Sequence, residues 1–174
     1  MLLTLMTFTP LLGMAVILAL PRNNPNLVRW TAVLFTAIPL ALGVFLYMNF
    51  DRTTAAMQFV ERVPWIPAFN IEYYLGIDGL SVPMVILTVL LSFLCIFASW
   101  GIENGVKGYF AMFLFLETGM LGVFCSLDFF LFFVFWEVML LPMYFLIGIW
   151  GGKEKVYAAV KFFLYTLFGS VLML

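Results

Sequence analysis

The chain is 174 residues long, carries a net charge of -1, and is 66% hydrophobic but only 10% charged, against roughly 45–50% and 25% in a soluble domain. It has no His and two Cys, Cys95 and Cys125, each inside an apolar run, so four-thiolate iron–sulfur clusters, His-ligated haem and ordinary zinc sites are excluded within this sequence. Nothing in it is basic enough for nucleic acid; the solvent that suits such a chain is the lipid bilayer.

The first apolar run, 2–20, closes at Pro21-Arg-Asn-Asn-Pro25. With no basic segment before it and Pro10 inside it, it reads as a retained helix and not a cleaved signal. A second span covers 30–48. The segment 49–80 then turns polar. After a turn at Pro64-Trp-Ile-Pro67, Phe69, Ile71, Tyr73 and Leu75 alternate with Asn70, Glu72 and Tyr74, which predicts a short hairpin at the membrane interface. The third span, 81–100, has Pro83 in its first turn, where proline is tolerated. Thr88, Ser92, Cys95 and Ser99 make a stripe along one of its faces, either a small-residue packing surface or a lining for water. Spans four and five cover 108–125 and 129–149, and Asp128 is placed to cap the fifth and complement its dipole. The sixth covers 156–174.

Each run approaches the roughly 20 residues that cross the hydrocarbon. The expected fold is all-α: a polytopic membrane bundle of five transmembrane helices plus an incomplete sixth, with a hairpin-like outer loop, forming one membrane domain over 1–174. Because the sixth run is still apolar at Leu174, the expectation is an N-terminal fragment of a longer subunit. The loops after spans one, three and five hold Arg22, Arg29, Lys107, Lys153 and Lys155, with Lys161 at the edge of span six, whereas the other side holds Arg52 and Arg62. The positive-inside rule therefore puts the N terminus and 49–80 outside.

Two acids fall in mid-span. Glu137 sits in Phe135-Trp-Glu-Val-Met-Leu-Leu-Pro-Met-Tyr144, within the most apolar stretch of the chain. An ionised group at the bilayer centre costs roughly 2.5–3.5 kcal/mol on insertion scales, so such a residue faces the protein interior or a wet cavity, and an ion or proton pathway is the first hypothesis. Pro142 removes a donor for the carbonyl of Val138, beside Glu137, leaving an acceptor for water or a side chain, or simply a kink. Glu117 is the second acid, near the middle of span four; Phe110, Phe113, Met120 and Phe124 on its face offer no polar partner. In span six, Tyr157, Lys161 and Tyr165 form an i, i+4, i+8 stripe, in which Lys161 is a snorkelling lysine or a gate for proton entry. The segment Gly148-Ile-Trp-Gly-Gly-Lys153 has the wrong spacing for a phosphate loop, and Glu154 stands where that loop needs Ser or Thr.

Tyr74-Leu-Gly-Ile-Asp-Gly-Leu-Ser81, the Glu137–Pro142 segment, Ile149-Trp-Gly-Gly152 and Ala159-Val-Lys-Phe-Phe-Leu-Tyr-Thr166 resemble the M-type (subunit 4) antiporter-like membrane subunits of proton-pumping NADH:quinone oxidoreductase, respiratory complex I. The resemblance covers nearly the whole chain. It implies a many-helix subunit that moves protons among other membrane-arm subunits; with the loop charges, the expected place is a bacterial inner membrane, multi-pass, with the N terminus on the periplasmic side. No cofactor is implied for this chain; NADH, flavin, iron–sulfur clusters and quinone belong to other subunits. Glu137 matches the family's functional glutamate of the fifth helix, which pairs with a lysine on the seventh. Glu117 matches a less decisive acid of the fourth helix, and Lys161 a lysine of the sixth. A subunit of an Mrp-type cation/proton antiporter and a purely structural helix bundle are the alternatives.

Overall fold

The computed structural model describes residues 1–21 and 24–173; Arg22, counted above among the inner basic residues, lies outside them. The helices are α1 (Leu2–Ala19), α2 (Pro25–Asn49), α3 (Ser81–Ala98), α4 (Val106–Cys125), α5 (Phe129–Trp150) and α6 (Lys155–Met173), with strands β1 (Gln58–Ile66) and β2 (Ile71–Ile77) between α2 and α3. All six helices are long and apolar enough to cross a membrane, as the all-α membrane reading requires.

Two boundaries differ from expectation. Pro25 opens α2 and does not belong to the preceding loop: its fixed φ suits the first helical turn, and its missing N–H has no helical partner to lose. Arg29 therefore rides within the helix, its guanidinium over the Trp100 ring at 5.7 Å and donating to the Ile102 carbonyl at 3.0 Å. The hairpin forms, but its turn is the single 3-10 turn Pro67–Phe69 followed by Asn70 at φ 53°, not 64–67. Pro64 and Trp65 lie in β1. A two-stranded ribbon has two free edges, so Pro64 can sit in it without costing a ladder bond, and Asn tolerates the left-handed conformation that closes the turn. Arg62 pairs with Tyr74 and Val63 with Tyr73 across the ribbon.

The loops gather at two ends. At one end lie the N terminus, the hairpin and the α4–α5 junction, joined by Leu127 N–H donating to the Tyr74 carbonyl at 2.9 Å. Asp128 caps α5 there through the Leu131 amide at 2.9 Å, as expected. At the other end Lys107 Nζ donates to the Leu20 carbonyl at 2.7 Å and Trp150 Nε1 to the Asn104 carbonyl at 2.7 Å. Trp30, Trp100 and Trp150 cluster at that end with Tyr109, the belt expected where hydrocarbon meets headgroups.

Helices α1 to α4 build two apolar cores, one toward each end, and β2 and the first half of α5 complete the hairpin-side one. Leu3, Met6, Leu46, Val85 and Leu121 belong to the hairpin-side core, and Ile17, Val28, Ile96, Phe110 and Leu114 to the other. The residues between them along each helix are not all apolar: Thr7 and Thr36 are fully buried, as is Glu117, and Ser92 nearly so. The Thr88–Ser92–Cys95–Ser99 stripe thus faces inward, with Thr88 and Ser92 buried and Ser99 hydrogen-bonded to the Tyr109 hydroxyl at 2.8 Å.

Candidate functional site

Helix α5 lies against α4 on one side and α6 on the other, and small residues set the approach to α4. A Cβ placed on Gly119 would sit 3.1 Å from the Met139 Cα, and one on Gly122 would run into the Phe135 ring. Only hydrogen at these positions lets the helices that carry Glu117 and Glu137 come so close. Pro142 is buried within α5.

Glu137 is half-buried on α5, and Ser170 of α6 donates its hydroxyl to Glu137 Oε1. The depth match is a consequence of the helical hairpin. Glu137 lies thirteen residues before the end of α5 at Trp150 and Ser170 fifteen after the start of α6 at Lys155, so each is roughly 20 Å of rise from the shared turn. Ser170 is 5% exposed. No residue-type signal in the sequence marks it; what could have found it is its distance from the α5–α6 turn.

Glu117 behaves differently. It is 0% exposed, and neither carboxyl oxygen has a hydrogen-bond partner among the described residues; the Thr7 and Ser92 hydroxyls are likewise buried and unpartnered there. Lys161 approaches neither acid. It lies on the exposed face of α6, its ammonium 5.5 Å from the Tyr157 ring, and nine residues from Ser170, which is roughly 13 Å along the helix. With Leu164, Tyr165, Leu167, Phe168 and Val171 it lines an open groove of about 680 Å³. The three residues expected from sequence thus occupy three environments: a sealed interior, a helix–helix seam and an uncovered helix face.

A further cluster at the hairpin end was not anticipated. Glu61 of β1 takes the amides of Leu3 and Thr4 at 2.9 and 3.2 Å, the Thr4 hydroxyl, and the Met1 ammonium at 2.7 Å. The Thr4 hydroxyl also meets the Tyr73 hydroxyl at 2.9 Å. Partial burial pushes the Glu61 carboxyl up and is the largest single influence, but the ammonium, the hydroxyl and the two amides together hold it below its ordinary value. The strand supplies an N-terminal cap to a helix that has none of its own; no local motif in the sequence announces a capping partner that far along the chain.

The family model described as NADH-ubiquinone oxidoreductase chain 4, amino terminus, matches residues 1–127, and that of the NADH:quinone oxidoreductase/Mrp antiporter transmembrane region matches 126–174. NADH-quinone oxidoreductase subunit M of Rhodobacter capsulatus is 45% identical over 99% of this chain and 34% of its own length. NADH-ubiquinone oxidoreductase chain 4 of Arabidopsis thaliana is 44% identical over 95% of this chain and 34% of its own. The chain spans about a third of the length of these curated relatives. Among solved structures, a chain of respiratory complex I from Thermus thermophilus with bound NADH superposes with a TM-score of 0.81 at 26% identity, over 98% of this chain and 33% of that one. A chain of the Mrp complex from Dietzia shares the fold, with a TM-score of 0.79 at 23% identity over 98% of this chain and 18% of that one.

Proposed function

The chain belongs to the NADH-ubiquinone oxidoreductase chain 4 family, and from that premise we propose that it makes up the first third of a proton-translocating membrane subunit of an NADH:quinone oxidoreductase. It is a multi-pass membrane protein. In this reading it works beside other membrane-arm subunits in a bacterial inner membrane, with its N terminus and hairpin on the periplasmic side. Subunits elsewhere in the complex bind NADH, flavin, iron–sulfur clusters and quinone.

The observation that carries the reading is a mid-span carboxyl, Glu137, held at a helix seam by a hydroxyl and only half-buried. A carboxyl placed so within a span can carry a proton and can meet an approaching cation. An ammonium brought within about 4 Å favours the ionised form by about 4 kcal/mol at an effective dielectric of about 20. The family pairing implied by the resemblance supplies that cation as a lysine of the seventh helix. Glu117 is the auxiliary acceptor in the adjacent helix, and Lys161 serves proton entry from the inner side.

The experiment is Glu137→Gln in the full-length subunit. Assembly is expected to persist while redox-linked proton pumping falls at least tenfold, about the size that a 1.4 kcal/mol loss at one step produces. Quinone reduction coupled to the membrane arm falls with it, and Glu137→Asp keeps part of both. Normal pumping by an assembled Gln variant would falsify the assignment. The Mrp-type reading is separated by copurification: flavin and iron–sulfur subunits accompany the first, antiporter subunits the second.

A further inference from the structure

Ser170 is given two acceptors but owns one proton. Its hydroxyl is within donating reach of Glu137 Oε1 and, at 3.0 Å, of the Leu167 carbonyl in its own helix. A serine hydroxyl donates one hydrogen bond at a time and accepts through its lone pairs. Both contacts can therefore be satisfied only in two alternating arrangements. With Glu137 ionised, Ser170 donates to the carboxylate. With Glu137 protonated, the carboxylic O–H donates to Ser170 Oγ and the serine proton turns to the Leu167 carbonyl. Rotation about the Cβ–Oγ bond converts one into the other, and no heavy atom of either helix has to move.

We propose that Ser170 is a positioning residue for the proton-carrying carboxyl, holding Glu137 at one place on the α5–α6 seam in both of its protonation states. This rests on the reading of Glu137 given under Proposed function. The burial of Ser170 supports it, because water cannot replace a hydroxyl that is 5% exposed without opening the seam. The Leu167 carbonyl is a ready second acceptor, since serine back-bonding within a helix occupies the serine proton without breaking the helical ladder. The purpose is geometric. A carboxyl that swings away when it gains its proton presents a different distance to an approaching cation on every cycle, and catalytic geometry tolerates little displacement.

The test uses the full-length subunit in its assembled complex, with redox-triggered infrared difference spectra in the carboxylic C=O region and proton pumping measured together. The band belonging to protonated Glu137 is identified by its loss in Glu137→Gln. In Ser170→Ala that band is expected to move to higher wavenumber, with pumping reduced about tenfold, the size of one lost hydrogen bond to a charged group. Ser170→Thr, which keeps the hydroxyl, restores both. Ser170→Cys keeps the volume with a far weaker donor and is expected to shift the band as Ala does, which covers the case in which the Ala variant fails to assemble. An unmoved band with undiminished pumping in an assembled Ala or Cys variant overturns the proposal. A pumping Glu137→Gln variant overturns instead the reading on which it rests, so the two failures are told apart.

Discussion

Removing the Glu61 carboxyl should release the N-terminal turn of α1 from the hairpin. The side chain accepts the Leu3 amide at 2.9 Å and the Thr4 amide at 3.2 Å as well as the Thr4 hydroxyl. Each hydrogen bond to a charged group is worth about 1.5–3 kcal/mol, and a capping side chain lost to Ala costs about 1 kcal/mol. The ion pair with the Met1 ammonium adds little, because the ammonium is 99% exposed and such pairs contribute about 0–1 kcal/mol. Released amides at a helix end regain water, so the low end of the hydrogen-bond range, about 1.5 kcal/mol, applies to each of the two, and Glu61→Ala is expected to cost about 3 kcal/mol locally. That corresponds to a fall on the order of 100-fold in hydrogen-exchange protection of the Leu3 and Thr4 amides, read by NMR or mass spectrometry in micelles. Glu61→Gln, which keeps an acceptor without the charge, should lose about half of that free energy. The pH dependence has a fixed sign. The folded-state value lies below the ordinary one, so the stabilisation is fully present above the ordinary glutamate range near 4.3 and is lost as pH falls through the depressed folded value. Unchanged Leu3 and Thr4 protection in Glu61→Ala, or acid sensitivity of these amides equal to that of the parent, would refute the reasoning.

Glu117→Met is expected to leave thermal stability equal or raised by about 1 kcal/mol, because it replaces two unpartnered buried oxygens by apolar volume; a large drop in Tm would reveal a partner for the carboxyl. Glu117→Gln should lower pumping less than Glu137→Gln does, and equal losses would reverse the ranking of the two acids. Gly122→Ala puts a methyl group into the Phe135 ring and should cost about 1–3 kcal/mol, measured as a lower Tm and partly recovered by Phe135→Leu. A cysteine introduced at exposed Ala55, in a background lacking Cys95 and Cys125, should react with an impermeant maleimide from the periplasmic side; labelling only from the inner side contradicts the topology.

Local chemistry made much of this protein legible before its fold was known. Six hydrophobic runs of spanning length, the strand alternation from Ile71 to Leu75 and the cap at Asp128 depend on neighbours a few residues away, and residue order places all three, although Phe69 and Asn70, in the same alternation, belong to the turn. The span length is fixed by the bilayer, so composition alone sets the class of fold. The start of α2 and the turn of the hairpin are not legible in residue order because Pro25 and Pro64 each fit two local roles, loop or helix start and turn or strand; Pro25 opens α2, with Arg29 packed on Trp100, and Pro64 pairs within the β1–β2 ribbon. Glu117 and Glu137 stood out by being acids in lipid-like surroundings. What each acid touches did not, because those partners are remote in sequence: Ser170 is 33 residues from Glu137, and Thr4 is 57 from Glu61. Hydrogen bonds of that kind are decided by which helix faces meet and at what depth, and only the tertiary structure sets the side-by-side register that brings one hydroxyl to one carboxyl while leaving Glu117 sealed and Lys161 on an open face.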